Sequence, residues 1–470
     1  MRGEDIFDAL GEIDAAAFNV YKKKKNKKRL LIASAVAVIV AMLVCVPLIW
    51  GSGSVKDPFV ISAAEYPAMV QFPVDMDPNT DEYEDMYMKW WIEKNDIAKQ
   101  YKDSIYYVDD FTSDVVAQFL SGYTEQNGVI SPISLYMALG MLSEVTEGES
   151  RDQILSLLGT GSIDRTREAT SAVWLSTYRD DGVSKILLSN SMWLDEGGRY
   201  NSKIADNVAQ YYYASVFKGK MGSESYNERF RQWLSAETGG LLDEYLHNKG
   251  FNENTRLALA STVYFDTSWK SAFDKSKTES GMFASPLGDV ECLYMNKTVE
   301  SASLYCSDSF NAAGLALYGT GEMWFVLPDE GQSIDALISD GKMLDFIVDR
   351  ASVNKIQMDI NFKVPKFDVS ADIDLRNGLM ALGVTDIFSS DTMDQSFVSD
   401  NVCVSRALQS TRVKIDEERV EAASVTIMIE DSLGIPPNCE SIDFFLDRPF
   451  IFFVTNEVGL PLFVGVVNQP

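Results

Sequence analysis

The run from Leu30 to Trp50 carries no charge and is mostly aliphatic. As a helix rising 1.5 Å per residue it reaches about 31 Å, the hydrocarbon thickness of a bilayer. Such a run must cross a membrane, be removed as a leader, or be buried on every side. Lys-Lys-Lys-Lys-Asn-Lys-Lys-Arg occupies 22–29, immediately before it, which disfavours a buried core helix. By the positive-inside rule, residues 1–29 face the cytoplasm and everything after Trp50 lies outside. Gly51-Ser52-Gly53 offers small residues for cleavage, so secretion after cleavage is the competing reading. The long polar segment before the run, and the run's own length, favour a retained anchor. Cys45 lacks the preceding small residues that lipidation requires.

Beyond the run the chain is acidic, with a formal net charge of -28 over 470 residues. Phosphate recognition needs a basic footprint, so no nucleic-acid partner is expected. Hydrophobic residues make up 46%, enough for a large core. The expected division is a basic cytoplasmic tail (1–29), a transmembrane helix (30–50), an acidic extracytoplasmic stalk (51–105) and one large domain (106–470). Within the stalk, Met86 to Lys99 carries Trp90, Trp91 and Ile92 and reads as a short docking helix.

Chemistry is constrained by what is scarce. His247 is the single histidine, and it sits in a polar Glu-Tyr-Leu-His-Asn-Lys-Gly segment. A Ser-His-Asp triad or a multi-histidine zinc site would have to be built on it. G-x-S-x-G, H-E-x-x-H and phosphate-loop motifs are absent, so neither an enzyme, a metal nor a cofactor is expected. The five cysteines (45, 292, 306, 403 and 439) are too sparse for a disulfide framework. A Cys292–Cys306 bridge and a pair of unpaired, partly buried thiols both remain open. The simple anchor and the few cysteines fit a bacterial surface protein.

Helical spacing runs from Pro132 to Leu158 through Leu135, Leu139, Leu142 and Val145, with a break at Gly148-Glu149-Ser150 and a restart at Arg151. Extended apolar runs follow at 257–265, 323–327, 356–364, 413–415, 449–454 and 462–467. Helices dominate the first half and strands the second, an α+β pattern.

Six segments, in order, resemble the serpin family. They are Asn127 to Ser134 with Thr146 to Ser150; Asn190 to Leu194; Trp233 with Thr238 and Gly240; Val263 to Trp269 with Phe273; Val364 to Phe367 with Leu382 to Phe388; and Phe444 to Phe453 with Leu462 to Pro470. The resemblance covers roughly 105–470. It implies the serpin fold, several helices around three β-sheets, with an exposed reactive-centre loop that a protease cleaves. The cleaved loop then inserts into the large sheet and traps the acyl-enzyme, a known case of strand addition and released strain.

The resemblance places the loop hinge at Glu417, Glu418, Arg419, Val420, Glu421, Ala422, Ala423, Ser424, Val425 and Thr426, and the scissile bond at Leu433–Gly434. It also places a sheet-opening region at Ser131, Ser134, Ser261 and Gln409, and a breach residue at Trp269. Strand alternation can be read directly. Val420, Ala422, Ser424, Thr426 and Met428 share one uncharged, mostly small face. No proline lies between Glu417 and Leu433, so every backbone donor can join a ladder.

Two departures stand out. Inhibitory members have Gly then a small hydroxyl residue where this chain has Arg419 then Val420, which removes backbone freedom. Alternation puts Arg419 on the face of Glu421, where it would stay solvated after insertion. Gln409 and Ser261 stand where the family has His and Asn; Gln both donates and accepts, so a modified polar cluster is expected. Leu433 implies a serine protease with an apolar primary pocket (chymotrypsin-, elastase- or subtilisin-like), and Glu430 and Asp431 favour a basic rim. Arg419 also leaves open the alternative of a non-inhibitory serpin-fold binding or scaffold protein.

Overall fold

The computed structural model describes residues 57–74, 76–102, 105–198, 200–247, 249–390, 392, 403–420 and 441–470. The expected anchor, Leu30–Trp50, lies outside them. Among the described residues, no helix is long and apolar enough to cross a membrane.

The architecture is α+β, with three sheets among the described residues. The first runs β1 (Val60–Ser62), β5 (Ala214–Gly219), β4 (Ser184–Asp195), β6 (Leu257–Ser268) and β14 (Arg419–Val420), with β3 (Arg179–Asp180) beside β4. The second runs β15 (Ser441–Phe445), β11 (Asn354–Pro365), β8 (Val290–Cys306), β9 (Phe310–Ala316), β10 (Glu322–Pro328), β16 (Phe450–Thr455), β17 (Pro461–Val467) and β2 (Gly128–Ile130), with β7 (Glu279–Phe283) on β8. The third pairs β12 (Asp368–Asp374) with β13 (Leu408–Lys414). Each apolar run read from the sequence falls largely in a strand.

The helices of the first half of the described chain are α1 (Asp81–Tyr101), α2 (Tyr107–Leu120), α3 (Pro132–Val145), α4 (Gly148–Leu157), α5 (Ile163–Thr177), α6 (Ser202–Tyr212) and α7 (Glu224–Glu237). The sequence of α3 is apolar on all sides, so it belongs in the interior, and it packs on both β6 and β17. Ser131 caps its start and Pro132 occupies its first turn, where a missing N–H costs nothing. Its end comes at Thr146 and Glu147, and α4 restarts at Gly148 with φ +53°, slightly earlier than helical spacing suggests. Gly140 allows α3 to meet α5 and α6, since a Cβ there would lie 2.8 Å from Thr170 and Tyr212.

The segment expected to stand off as a stalk is docked wherever it is described. Strand β1 extends the first sheet at β5, with Val60 opposite Phe217. Phe72 is 2% exposed, and its N–H donates to the Asp181 carbonyl. Helix α1 starts five residues before the expected Met86, because Thr80 caps it and Asp81, Glu82 and Glu84 complement its dipole. Its single buried residue, Trp90, donates Nε1–H to buried Asp181 at 2.8 Å.

The open cysteine alternative is resolved. Cys292 and Cys306 are free and half-buried. They lie near opposite ends of the 17-residue β8, beyond disulfide reach. His247 is exposed beyond a short 3-10 turn, Asp243–Tyr245.

Candidate functional site

Strand β6 pairs with β4 along all but its last residue, from Leu194↔Leu257 to Ser184↔Thr267. On its other edge, among the described residues, only Ser268 and Thr267 pair, with Arg419 and Val420 of β14. Strand β13 likewise pairs with β12 on one edge. Just past its end, Ile415 bridges Val420 in antiparallel fashion. Val420 is therefore flanked on both sides, and β14 lies between β6 and the continuation of β13. Neighbouring strands stand about 4.8 Å apart, so β6 and Ile415 are separated by about 10 Å, one strand's width.

Residues 415–420 fold back as a tight hairpin. The Asp416 carboxylate accepts N–H from Glu418 at 2.8 Å and Arg419 at 3.0 Å, and the Asp416 N–H donates to the Arg419 carbonyl at 3.0 Å. Trp269, 3% exposed, supports the hairpin from below. Its Nε1–H donates to the Asp416 carbonyl at 2.8 Å and its backbone N–H to the Glu418 carbonyl at 3.2 Å. The Phe273 N–H donates to the Glu417 carbonyl at 2.8 Å.

Three consecutive charges are paired. Buried Glu417 meets Lys366 at 2.6 Å and accepts from Thr278 Oγ1 at 2.7 Å. Burial works against its charge, yet those hydrogen bonds prevail and hold the carboxyl below its ordinary range. Glu418 pairs with Lys275 at the surface. Arg419 Nη1 reaches Asp266 Oδ1 at 3.2 Å. The sequence expectation concerns Arg419 after insertion; in this uncleaved state the residue is 6% exposed. It faces Asp266 across β6, a partner 153 residues away in the chain.

Farther down, β6 and β13 line a small cavity of about 30 Å³, together with Ser131 and Ser134 from the start of α3. Gln409 accepts the Ser131 N–H at 2.8 Å and donates to the Ser131 carbonyl at 2.9 Å, so one amide satisfies both backbone groups. Ser134 Oγ donates to the Ser261 carbonyl at 2.9 Å. The buried Ser261 hydroxyl has no hydrogen-bond partner among the described residues. The four expected sheet-opening residues thus meet around one cavity. Above it, Gly239 with φ +57° lets the chain after α7 pass the Tyr264 ring, which a Cβ would approach to 2.6 Å.

Glu417, Glu418, Arg419, Val420 and Trp269 come together at one end of β6. Glu421 to Thr426 and the Leu433–Gly434 bond lie outside the described residues. Asp266 and Asp416 belong to none of the functional positions expected from the sequence. A lone carboxylate inside an otherwise uncharged strand was the signal for Asp266. Among the described residues, no cluster of side chains could hold a metal ion.

Comparison with known proteins meets this geometry from outside. The profile of the serpin (serine protease inhibitor) family matches residues 107–470. The chain belongs to the serpin family. Serpin-ZX of Arabidopsis thaliana is 29% identical over 366 residues, covering 73% of this serpin and 92% of the relative. The thermophilic serpin tengpin in its native state superposes with a TM-score of 0.68 at 25% identity, over 78% of this chain and 94% of that one. Human thyroxine-binding globulin shares the fold, with a TM-score of 0.65 at 22% identity over 78% and 99% of the two chains. The family match begins at Tyr107, so the docked segment 57–102 is an addition to this serpin's common fold.

Proposed function

We propose that this serpin is an inhibitor of serine proteases with an apolar primary pocket. Its residues Leu30–Trp50 would hold it, as an outward-facing domain, on a cell membrane, fitting a bacterial surface protein. A chymotrypsin-, elastase- or subtilisin-like protease attacks Leu433–Gly434, and the freed loop enters the first sheet before hydrolysis ends. The molecule acts by rearranging, not by turnover.

One observation carries this reading: Val420 already forms a rung between Thr267 and Ile415. Continuing that register would set Ala422 between Phe265 and Val413, and Ser424 between Val263 and Thr411. Thr426 would arrive between Ser261 and Gln409, at the polar cavity. Directly opposed residues share a face, and Val420, Thr267 and Ile415 are all buried. The small face read from the loop thus matches the space it would fill. About ten new ladder bonds at roughly 1 kcal/mol each amount to about 10 kcal/mol, comparable to a domain's whole stability.

The test mixes the protein with chymotrypsin or subtilisin. The expected result is an SDS-resistant adduct and a higher melting temperature for loop-cleaved material. Ser424→Pro removes a backbone donor from the incoming strand and should convert the inhibitor into a substrate. Cleavage after Leu433 with neither adduct nor stability gain would refute trapping and leave the binding or scaffold alternative.

A further inference from the structure

Arg419 occupies the hinge position where backbone freedom is expected, yet it is nearly as buried as the core around it, at 6% exposure. Guanidinium groups are rarely enclosed without a partner. Here the partner is Asp266, 3.2 Å away, with side-chain exposures of 7% and 16%. Both sit on the strand faces opposite to Val420 and Thr267. The pair runs diagonally, because Arg419 opposes Ser268 while Asp266 lies two residues farther along β6. It therefore ties β14 to β6 by side chains beside the two backbone rungs.

We infer that the Arg419–Asp266 pair is a positioning device, holding the start of the reactive loop in the register of the strand that will form and thereby setting how often a protease is trapped rather than released. This rests on the trapping reading above. A strand that is already nucleated extends without the entropy of a first contact, the costliest step in closing a chain onto a sheet. Charge pairing, in place of glycine's freedom, fixes the hinge in one geometry. Asp416 completes the arrangement by holding the Glu418 and Arg419 amides in the turn. Because residues 419 and 420 need not move when the rest of the strand enters, the pair is present before and after insertion.

The experiment compares the parent with Arg419→Ala, Asp266→Ala and the exchanged Arg419→Asp/Asp266→Arg, using chymotrypsin as probe. The readouts are inhibitor molecules consumed per enzyme trapped, and hydrogen exchange of the peptide spanning 415–420. Each single variant should raise consumption at least about threefold and speed exchange at the hinge, and the exchange of charges should restore both in part. A merely structural role would lower the melting temperature and leave consumption per trapped enzyme unchanged, which overturns the inference. Should the alanine variants not fold, Arg419→Gln and Asp266→Asn, which remove the charges at near-constant volume, take their place, with unchanged consumption again overturning it. If the parent forms no adduct, trapping itself fails. Hinge exchange then decides the positioning role separately, and unchanged exchange in the variants overturns that too.

Discussion

Glu417 is subject to opposing influences, burial against its charge and Lys366 with Thr278 in its favour, and the second prevails. A carboxyl held below its ordinary pKa stabilises the fold fully above its unfolded value of about 4.3 and loses that contribution as pH falls through the folded value. Glu417→Gln should therefore melt below the parent at neutral pH. The gap should narrow as pH drops below about 4, read from melting temperatures across a pH series. Gln409 makes a sharper case. Gln409→Ala would leave the buried N–H and carbonyl of Ser131 without the amide that satisfies both. The expected loss is about 2–4 kcal/mol in denaturant unfolding. This cluster was legible in the sequence, since a glutamine replacing another two-way hydrogen-bonding side chain keeps the same chemistry. Arg419 was not. Alternation assigns it a face, but its cover comes from Asp266 and from the turn at Asp416, and nothing local signals a partner that distant.

At the scale of elements, the strands around the hinge were readable because apolar alternation and burial coincide in them. The first helix was less so. Helix α1 buries only Trp90, so its sequence lacks the apolar stripe that marks a packed helix. Its docking depends instead on Asp181, itself 1% exposed, which receives Trp90 Nε1, Arg179 and the backbone of Val183 and Ser184. Phe72 meets Trp90 edge-on with ring centres 5.1 Å apart and Tyr318 at 5.7 Å. Phe72→Ala should cost about 3–5 kcal/mol where this segment is part of the cooperative unit. Limited proteolysis should then cut within 57–102 faster in the variant than in the parent. Equal resistance in variant and parent would mean the segment is held without the Phe72 ring, by β1, the Trp90–Asp181 bond and the Lys94–Glu457 and Arg229–Asp57 pairs among others.

For the whole molecule, the two ends of β6 lie near different parts of the chain. The proposed hinge pairs at the Thr267 end, while Val60 lies level with Phe217, Trp193 and Ala258, nine residues along β6. At about 3.3 Å per residue the chain enters about 30 Å away from the hinge. If Leu30–Trp50 is a retained anchor, full-length protein should stay with membranes through an alkaline wash and a form starting at residue 57 should not. Release of both would favour cleavage after Gly51-Ser52-Gly53. Under the proposed trapping and anchoring, an enzyme caught at Leu433–Gly434 and carried the length of the sheet would finish on the side from which the tether leaves. Residues 51–56 extend to about 20 Å at most, a figure of the same order as the radius of a protease domain. The captive would then be pressed toward the lipid headgroups, and completing the stroke on an intact surface would require either a lean of the whole body or the unzipping of its outermost strand.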